Sequence, residues 1–576
     1  MKRRDFIQLS LGAGLAASLP LGLSSCTGKN KTAGAELSGP ADLLVLGNII
    51  TIDNSVPFAD AMTIKNGYVQ YVGNVEGAKR LCNENTKVLD YGRNSVYPGF
   101  MEAHCHGAGA GMLSQCIRLY DAKSYKEYQD IIADYIAKHP DQEFYRIAGW
   151  CIQDSILPTK ALLDEVCTDK AVFGSSLDGH CFLANSKAIE LLKIDRAMAE
   201  EFGPLMVPVD AEGNPTGYVS ETPCMKLLNS IPYSVENMKE FILSWEKFAF
   251  SCGYVAAADA GVNLITNAPE AYSELSKEGK LRLRTRAFYN VVQDDASEET
   301  VEKVAAMKKD DNEYFKIVGL KIFIDGVVES HTGLLCEDYA DAPGKGLNRY
   351  PDKEKLQNLV LSAHRHGLPT HTHTIGDGAV RYMLDAIEHS KKITGNMNIR
   401  DMLAHIELVK PEDVKRFAKN NVSAITAALW APKDSISSYK QEILFLGKER
   451  ADNNYEVANS FVEVGVNVAQ HTDYPVSQSV GIPRTIYYAV TRMVPELGEQ
   501  SIRIAKEAVS RMEALREMTI NVAYLWNEED HLGSLTPGKV ANFVVYDKDF
   551  IDDDLKDILD AKLKHVFVDG EEVYSE

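Results

Sequence analysis

Eight short runs of apolar and β-branched residues recur along the chain, at 97–106, 254–261, 282–292, 315–325, 368–375, 401–408, 422–429 and 467–476. Most are separated by amphipathic stretches with apolar residues at i, i+3, i+4 and i+7, as in 353–366 and 411–420. Strand and helix patterns that alternate in this way predict a parallel sheet covered by helices. Eight such units predict a closed (β/α)8 barrel of the TIM type over 98–510. Further short strand patterns, at 42–45, 61–65, 541–546 and 565–568, lie near the two ends. They predict a small β-sandwich built from 41–97 and, after a C-terminal helix, from the rest of 511–576. The stretch 107–250, between the first and second barrel runs, is far too long for a simple connection. It carries helical patterns at 125–138 and 237–250 and is expected to be an insertion that acts as a lid. No internal repeat or long low-complexity segment is present.

Several barrel runs end in residues that can bind metals. His104-Cys105-His106 has period-2 spacing, so on a strand both imidazoles share a face and Cys105 takes the other. Lys321, His373, His405 and Asp473 close later runs. A barrel of this kind gathers the C-terminal ends of its strands at one mouth, where its active sites lie. Imidazoles, a carboxylate and a lysine collected there would form a metal centre that activates water. Taken singly, each of the 14 histidines is an ordinary surface or core residue, and His139, His389 and His565 are read that way. The order of the others on successive strands is what points to a site. On the fifth run His371 and His373 share inward parity, so parity alone leaves either as the ligand.

Pro98-Gly99-Phe100-Met101-Glu102-Ala103-His104-Cys105-His106 resembles the opening motif of the amidohydrolase superfamily. Gly149-Trp150, Leu177-Asp178-Gly179-His180, Asn185-Ser186-Lys187-Ala188 and Gly213-Asn214-Pro215-Thr216-Gly217 narrow the resemblance to its family 3 branch. Leu320 to Gly326 and His373-Thr374-Ile375-Gly376-Asp377 do the same. That branch comprises the YtcJ-like proteins, which include N-substituted formamide deformylases. The closing segment Gly533 to Asn542 also fits, with Asn542 where the family usually has Asp, and the resemblance spans roughly 41–574. It implies that His104, His106 and Asp473 hold one divalent metal, and His373 and His405 a second. The Ile-Gly-Asp after His373 favours it over His371. Lys321 resembles the lysine that superfamily members carboxylate to bridge two metals. The alternative is an ordinary strand-end lysine neutralised by a carboxylate, which would leave one metal. Zinc is the first expectation, because imidazoles suit it and it has no redox chemistry. Asp473 would serve as general acid and base. His180, Trp150 and His331 are candidate substrate-binding residues, with His180 equally readable as a structural loop histidine.

The first residues change the picture of location. Arg3-Arg4 precedes an apolar stretch to about residue 23, which resembles a twin-arginine export signal. Leu23-Ser24-Ser25-Cys26 resembles a lipoprotein box, so 1–26 reads as a signal, Cys26 as the acylated residue and 27–40 as a tether. The expected location is the periplasmic or outer face of a bacterial membrane, with the lipid anchor as the sole membrane contact. Ten cysteines without a Cys-x-x-Cys pair are expected to form few or no disulfides, although exported proteins usually use cysteine for them. A net charge of −21 argues against nucleic-acid binding, which needs a clustered basic surface. The expected partner is a small-molecule substrate, and a homo-oligomer is compatible with this reading.

The leading expectation is hydrolysis of a C–N bond in an amide, formamide or cyclic amide. Ester hydrolysis, deamination or isomerisation could use the same centre. A surface-anchored protein that binds metal or ligand without turnover is the alternative of another class, against which Asp473 counts, since a binder needs no proton shuttle.

Overall fold

The structure, a computed structural model, describes residues 37–576 apart from 121, 154–155, 177–180, 221–222, 225, 228–232, 434–438 and 478–479. The signal, Cys26, most of the tether and the His180 motif therefore lie outside the described residues. The chain divides into two compact units. One holds the chain up to Gly107, Glu246–Val262 and Leu275–Glu576; the other holds Ala108–Trp245 and Asn263–Glu274.

The first unit contains the barrel. Its strands are β1 (Phe100–Cys105), β2 (Tyr254–Ala260), β3 (Arg284–Asn290), β4 (Phe315–Phe323), β5 (Thr370–Thr374), β6 (Asp401–His405), β7 (Val422–Thr426) and β8 (Val468–Gln470). They hydrogen-bond in chain order, each parallel to its neighbours. Beyond the ladder, Asp473 N–H donates to the His104 carbonyl at 3.1 Å and His106 N–H to the Tyr474 carbonyl at 2.9 Å. These two bonds tie the end of β8 to β1 and bring His104, His106 and Asp473 to one place.

The helices between the strands follow from local chemistry. Lys353–Arg365 starts where the Asp352 carboxylate accepts the Lys355 N–H, and it buries Leu356, Leu359, Val360 and Ala363 at three- and four-residue spacing. Pro411–Lys419 has proline and acidic residues in its first turn and Arg416 and Lys419 in its last, which suits the helix dipole.

The sequence predicts the first barrel strand over 97–106, but the structure divides that run. Lys87–Pro98 belongs to a separate seven-stranded sheet, and β1 begins at Phe100. Val96 pairs with Val545 and Pro98 with Phe543, so strands from both ends of the chain meet in this sheet. Val45, Ile49, Met62, Val96, Phe543, Val545 and Phe567 form its core.

The second unit contains the helix Tyr125–Lys138 and a five-stranded sheet that the helical patterns did not disclose. Two of the sheet's strands have only two and three residues, Ile117–Arg118 and Tyr218–Ser220, too short for a period-2 pattern to register.

Candidate metal centre

Period-2 geometry builds the site. On β1, Glu102 and His104 share the inward face, and His106 follows just past the strand. Lys321 lies on β4 opposite His371 of β5, and Phe323 lies opposite His373. His405 ends β6, and Asp473 lies three residues past β8. All but His106, Phe323 and His373 are buried.

Asp473 Oδ1 sits 3.3 Å from Nε2 of both His104 and His106. Lys321 Nζ is 3.4 Å from the same His104 nitrogen and 4.5 Å from the centre of the Phe323 ring. The ring of His405 lies 4.7 Å from that of His104 and 4.5 Å from that of His373, centre to centre. The structure thus brings together all six residues expected to bind metal.

The orientation of several side chains is set by identifiable contacts. His373 Nε2 lies 3.1 Å from the Gly326 carbonyl. A carbonyl can only accept, so Nε2 carries the proton and Nδ1 keeps its lone pair. Asp325 accepts backbone N–H bonds from Leu334, Ile375 and Gly376, which joins the Ile-Asp-Gly and Ile-Gly-Asp motifs in one clamp beside His373. A Cβ on Gly376 would stand 2.0 Å from the Leu334 carbonyl oxygen, so only glycine fits there. Glu102 accepts the backbone N–H groups of His104 and Thr472 and the Thr472 hydroxyl, and so braces both ends of the ligand triangle. Burial pushes its carboxyl up to about 8 against those hydrogen bonds.

The site's electrostatics favour ligation. Burial, reinforced by Lys321 for His104, His371 and His373, holds the imidazoles of His104, His371 and His405 well below their ordinary range and lowers His373 to about 3. Neutral imidazole is the form that binds metal. Burial also lowers Lys321 to about 7, against the opposing pull of Asp473. Burial alone would raise the Asp473 carboxyl, but its contact with His106, 3.3 Å away, is the largest opposing effect and holds it low. Among the described residues Lys321 forms no ion pair within 4.0 Å, and Asp473 is the carboxylate that acts on it through space.

His405 lies at φ +76°, Ile406 at +53° and Asp473 at +53°. A β-branched residue such as Ile406 is strained in this left-handed region, and strain of this kind gathers at functional sites.

Some contacts were not foreseen. His471 is buried, its ring 4.9 Å from His405 and 5.3 Å from His104, and neither ring nitrogen has a hydrogen-bond partner. Trp430 stacks on His405 at 5.5 Å and donates its indole N–H to Ser477 Oγ at 2.9 Å. The signal for His471 and Glu102 was present, since each stands two residues before an expected ligand and shares its parity. Trp430 lies past β7 in a short 3-10 turn, where parity gives no guide.

The remaining expected site residues have other partners. His331 places Nε2 3.0 Å from both Asp341 carboxylate oxygens and its ring against Tyr339 and Phe445. Trp150 is buried in the core of the second unit with Ile117, Tyr128, Leu163 and Val172, and its indole N–H donates to the Gly174 carbonyl at 3.0 Å.

Residues 87–574 match the family model described as the amidohydrolase family. This chain belongs to the amidohydrolase family. An N-substituted formamide deformylase of Arthrobacter pascens is 24% identical, with 92% of this amidohydrolase and 97% of that protein aligned. A putative amidohydrolase, YtcJ, of Bacillus subtilis is 23% identical over 92% of this chain and 98% of its own. Among solved structures, an uncharacterized metal-dependent hydrolase from Pyrococcus horikoshii superposes with a TM-score of 0.74 at 23% identity. It covers 89% of this chain and 99% of its own. One from Pyrococcus furiosus gives 0.73 at 25% identity, with 88% and 99% covered.

The family implies a divalent metal, and the residues fit one. The ligand atoms of His104, His106 and Asp473 all lie within 4.8 Å of one another. Asp473 Oδ1 and both ring nitrogens of His405 are buried without a hydrogen-bond partner. Buried polar atoms are nearly always paired, and a cation would satisfy these.

Proposed function

We propose that this amidohydrolase cleaves a C–N bond of a small amide, formamide or cyclic amide, releasing a carboxylate and an amine. The observation that carries the reading is the convergence of His104, His106, His373, His405 and Lys321 on an ionised, buried Asp473 at the C-terminal ends of barrel strands. The similarity to a formamide deformylase along nearly the whole chain supports the choice of bond.

His104, His106 and Asp473 would hold one metal, zinc by the preference of its donors, and His373 and His405 a second. Lys321, as a carbamate, would join these ligands, since a lysine lowered to about 7 has a substantial neutral fraction at neutral pH. The metal, when bound, supplies Lewis acidity that polarises the substrate carbonyl and acidifies water. Asp473 takes a proton from the attacking water on one carboxylate oxygen and returns it to the leaving nitrogen. Glu102 and the Asp325 clamp keep their neighbouring ligands in place while this happens.

Asp473→Asn removes the shuttle while nearly keeping the side chain's shape. Loss of proton transfer of this kind lowers kcat by about 10²- to 10⁴-fold. The check is turnover of a panel of N-substituted formamides, simple amides and lactams by the parent and the variant. Turnover that survives intact in Asp473→Asn would remove Asp473 from the mechanism. A parent that splits esters but no amide would shift the reading to another bond.

A further inference from the structure

His371 has inward parity but is not needed in the ligand set. Its Nε2 lies 2.7 Å from His104 Nδ1, and both rings are buried. The rings meet at 63° with centres 4.7 Å apart, and Phe288 covers His371 at 4.6 Å. Its own Nδ1 has no hydrogen-bond partner.

His104 can offer only one nitrogen to a metal. Nε2 is the one 3.3 Å from Asp473 Oδ1 and 3.4 Å from Lys321 Nζ, so Nδ1 points away, into the barrel. Without His371 that buried nitrogen would have no partner. We infer that His371 is a positioning residue that accepts the His104 Nδ1–H and so fixes the His104 ring with its Nε2 lone pair toward the metal. The inference rests on the proposed metal centre. Such a contact sets the tautomer, stops the ring from turning and makes the ligating nitrogen more basic. It also divides the labour on β5, with His373 beside His405 as a ligand and His371, two residues earlier, as the support of a ligand on β1.

The test uses the full chain, Zn(II) or Co(II) alone, and two polar variants. His371→Gln carries an oxygen near the Nε2 position and can still accept; His371→Asn is too short to reach. Zn(II) affinity, measured by competition with a chelator, should fall about 10- to 100-fold in His371→Asn and return close to the parent's in His371→Gln. The visible absorption bands of the Co(II)-loaded protein should shift in the first variant and match the parent in the second. Metal K-edge absorption should count the same number of nitrogen ligands in all three.

Parent-like affinity and bands in His371→Asn would overturn the inference while leaving the metal centre standing. So would a His371→Gln as impaired as His371→Asn. Loss of one nitrogen ligand in His371→Gln would overturn it too, by making His371 itself a ligand. A parent chain that binds neither metal would overturn the proposed function together with the inference.

Discussion

Asp401 is a buried charge outside the candidate site on which the barrel's stability should depend. Its carboxylate accepts from His364 Nε2 at 2.9 Å, from the Thr370 hydroxyl at 2.8 Å and from the Thr370 N–H at 3.1 Å, and Lys391 Nζ lies 3.1 Å away. Ser390 Oγ meets the other His364 nitrogen at 2.8 Å. Burial by itself would raise the Asp401 carboxyl, but His364 and Lys391 hold it well below the usual carboxylate range. A carboxyl with a depressed folded-state pKa stabilises the fold above the unfolded value of about 3.9 and loses that contribution as pH falls toward the folded value. Asp401→Asn leaves Lys391 buried without its charge partner, and breaking such a pair costs about 3–5 kcal/mol. Melting temperatures followed from pH 7 to pH 3 should be markedly lower in the variant at neutral pH, and the gap should narrow on the acid side. Equal melting curves throughout would show that the cluster contributes nothing. The cluster lies at the N-terminal ends of β5 and β6, away from the ligands at their C-terminal ends, which separates a stability defect from a catalytic one.

At the scale of elements, the barrel was legible because its strands are short apolar runs and its helices have clean three- and four-residue periodicity. The helix Tyr125–Lys138 coincides with its predicted span, and Pro411–Lys419 ends one residue short of its own. Strand ends were less legible. The predicted 401–408 stops at His405, because His405 and Ile406 adopt positive φ, and 467–476 shrinks to Val468–Gln470 before the left-handed Asp473. An apolar run does not reveal a backbone that turns to aim a ligand. The candidate ligands were still found, because the turn comes at the end of a run and parity up to that point is preserved. The division of 97–106 between two sheets was hidden for a similar reason, since both halves are buried and equally apolar. The five-stranded sheet of the second unit was hidden because the stretch's helices dominate its pattern. His371 shows the limit of parity, which put two histidines on one face and could not disclose that one meets His104 and the other the Gly326 carbonyl.

At the scale of the whole molecule, the chemistry and the proposed location impose different demands on the cysteines. The nine described cysteines form no disulfide with one another, and all are buried or half-buried. If the chain is exported as we propose, then with no disulfide among its described cysteines its stability rests on its cores, and the burial of Val45, Phe543 and Phe567 from opposite ends of the chain in one core is the kind of closure that supplies it. The reading of 1–26 as a lipoprotein signal, on residues outside those described, remains our proposal. It predicts that a bacterial cell expressing the full chain incorporates labelled fatty acid into it and that Cys26→Ser abolishes the label; an unlabelled parent would remove the anchor from the account. The central claim concerns the metal centre, and the measurement that tests it most directly is metal content per chain of the purified protein beside Lys321→Ala. The account predicts close to two equivalents in the parent, falling to one or none in the variant. A parent that holds no metal after reconstitution in excess divalent metal would contradict it.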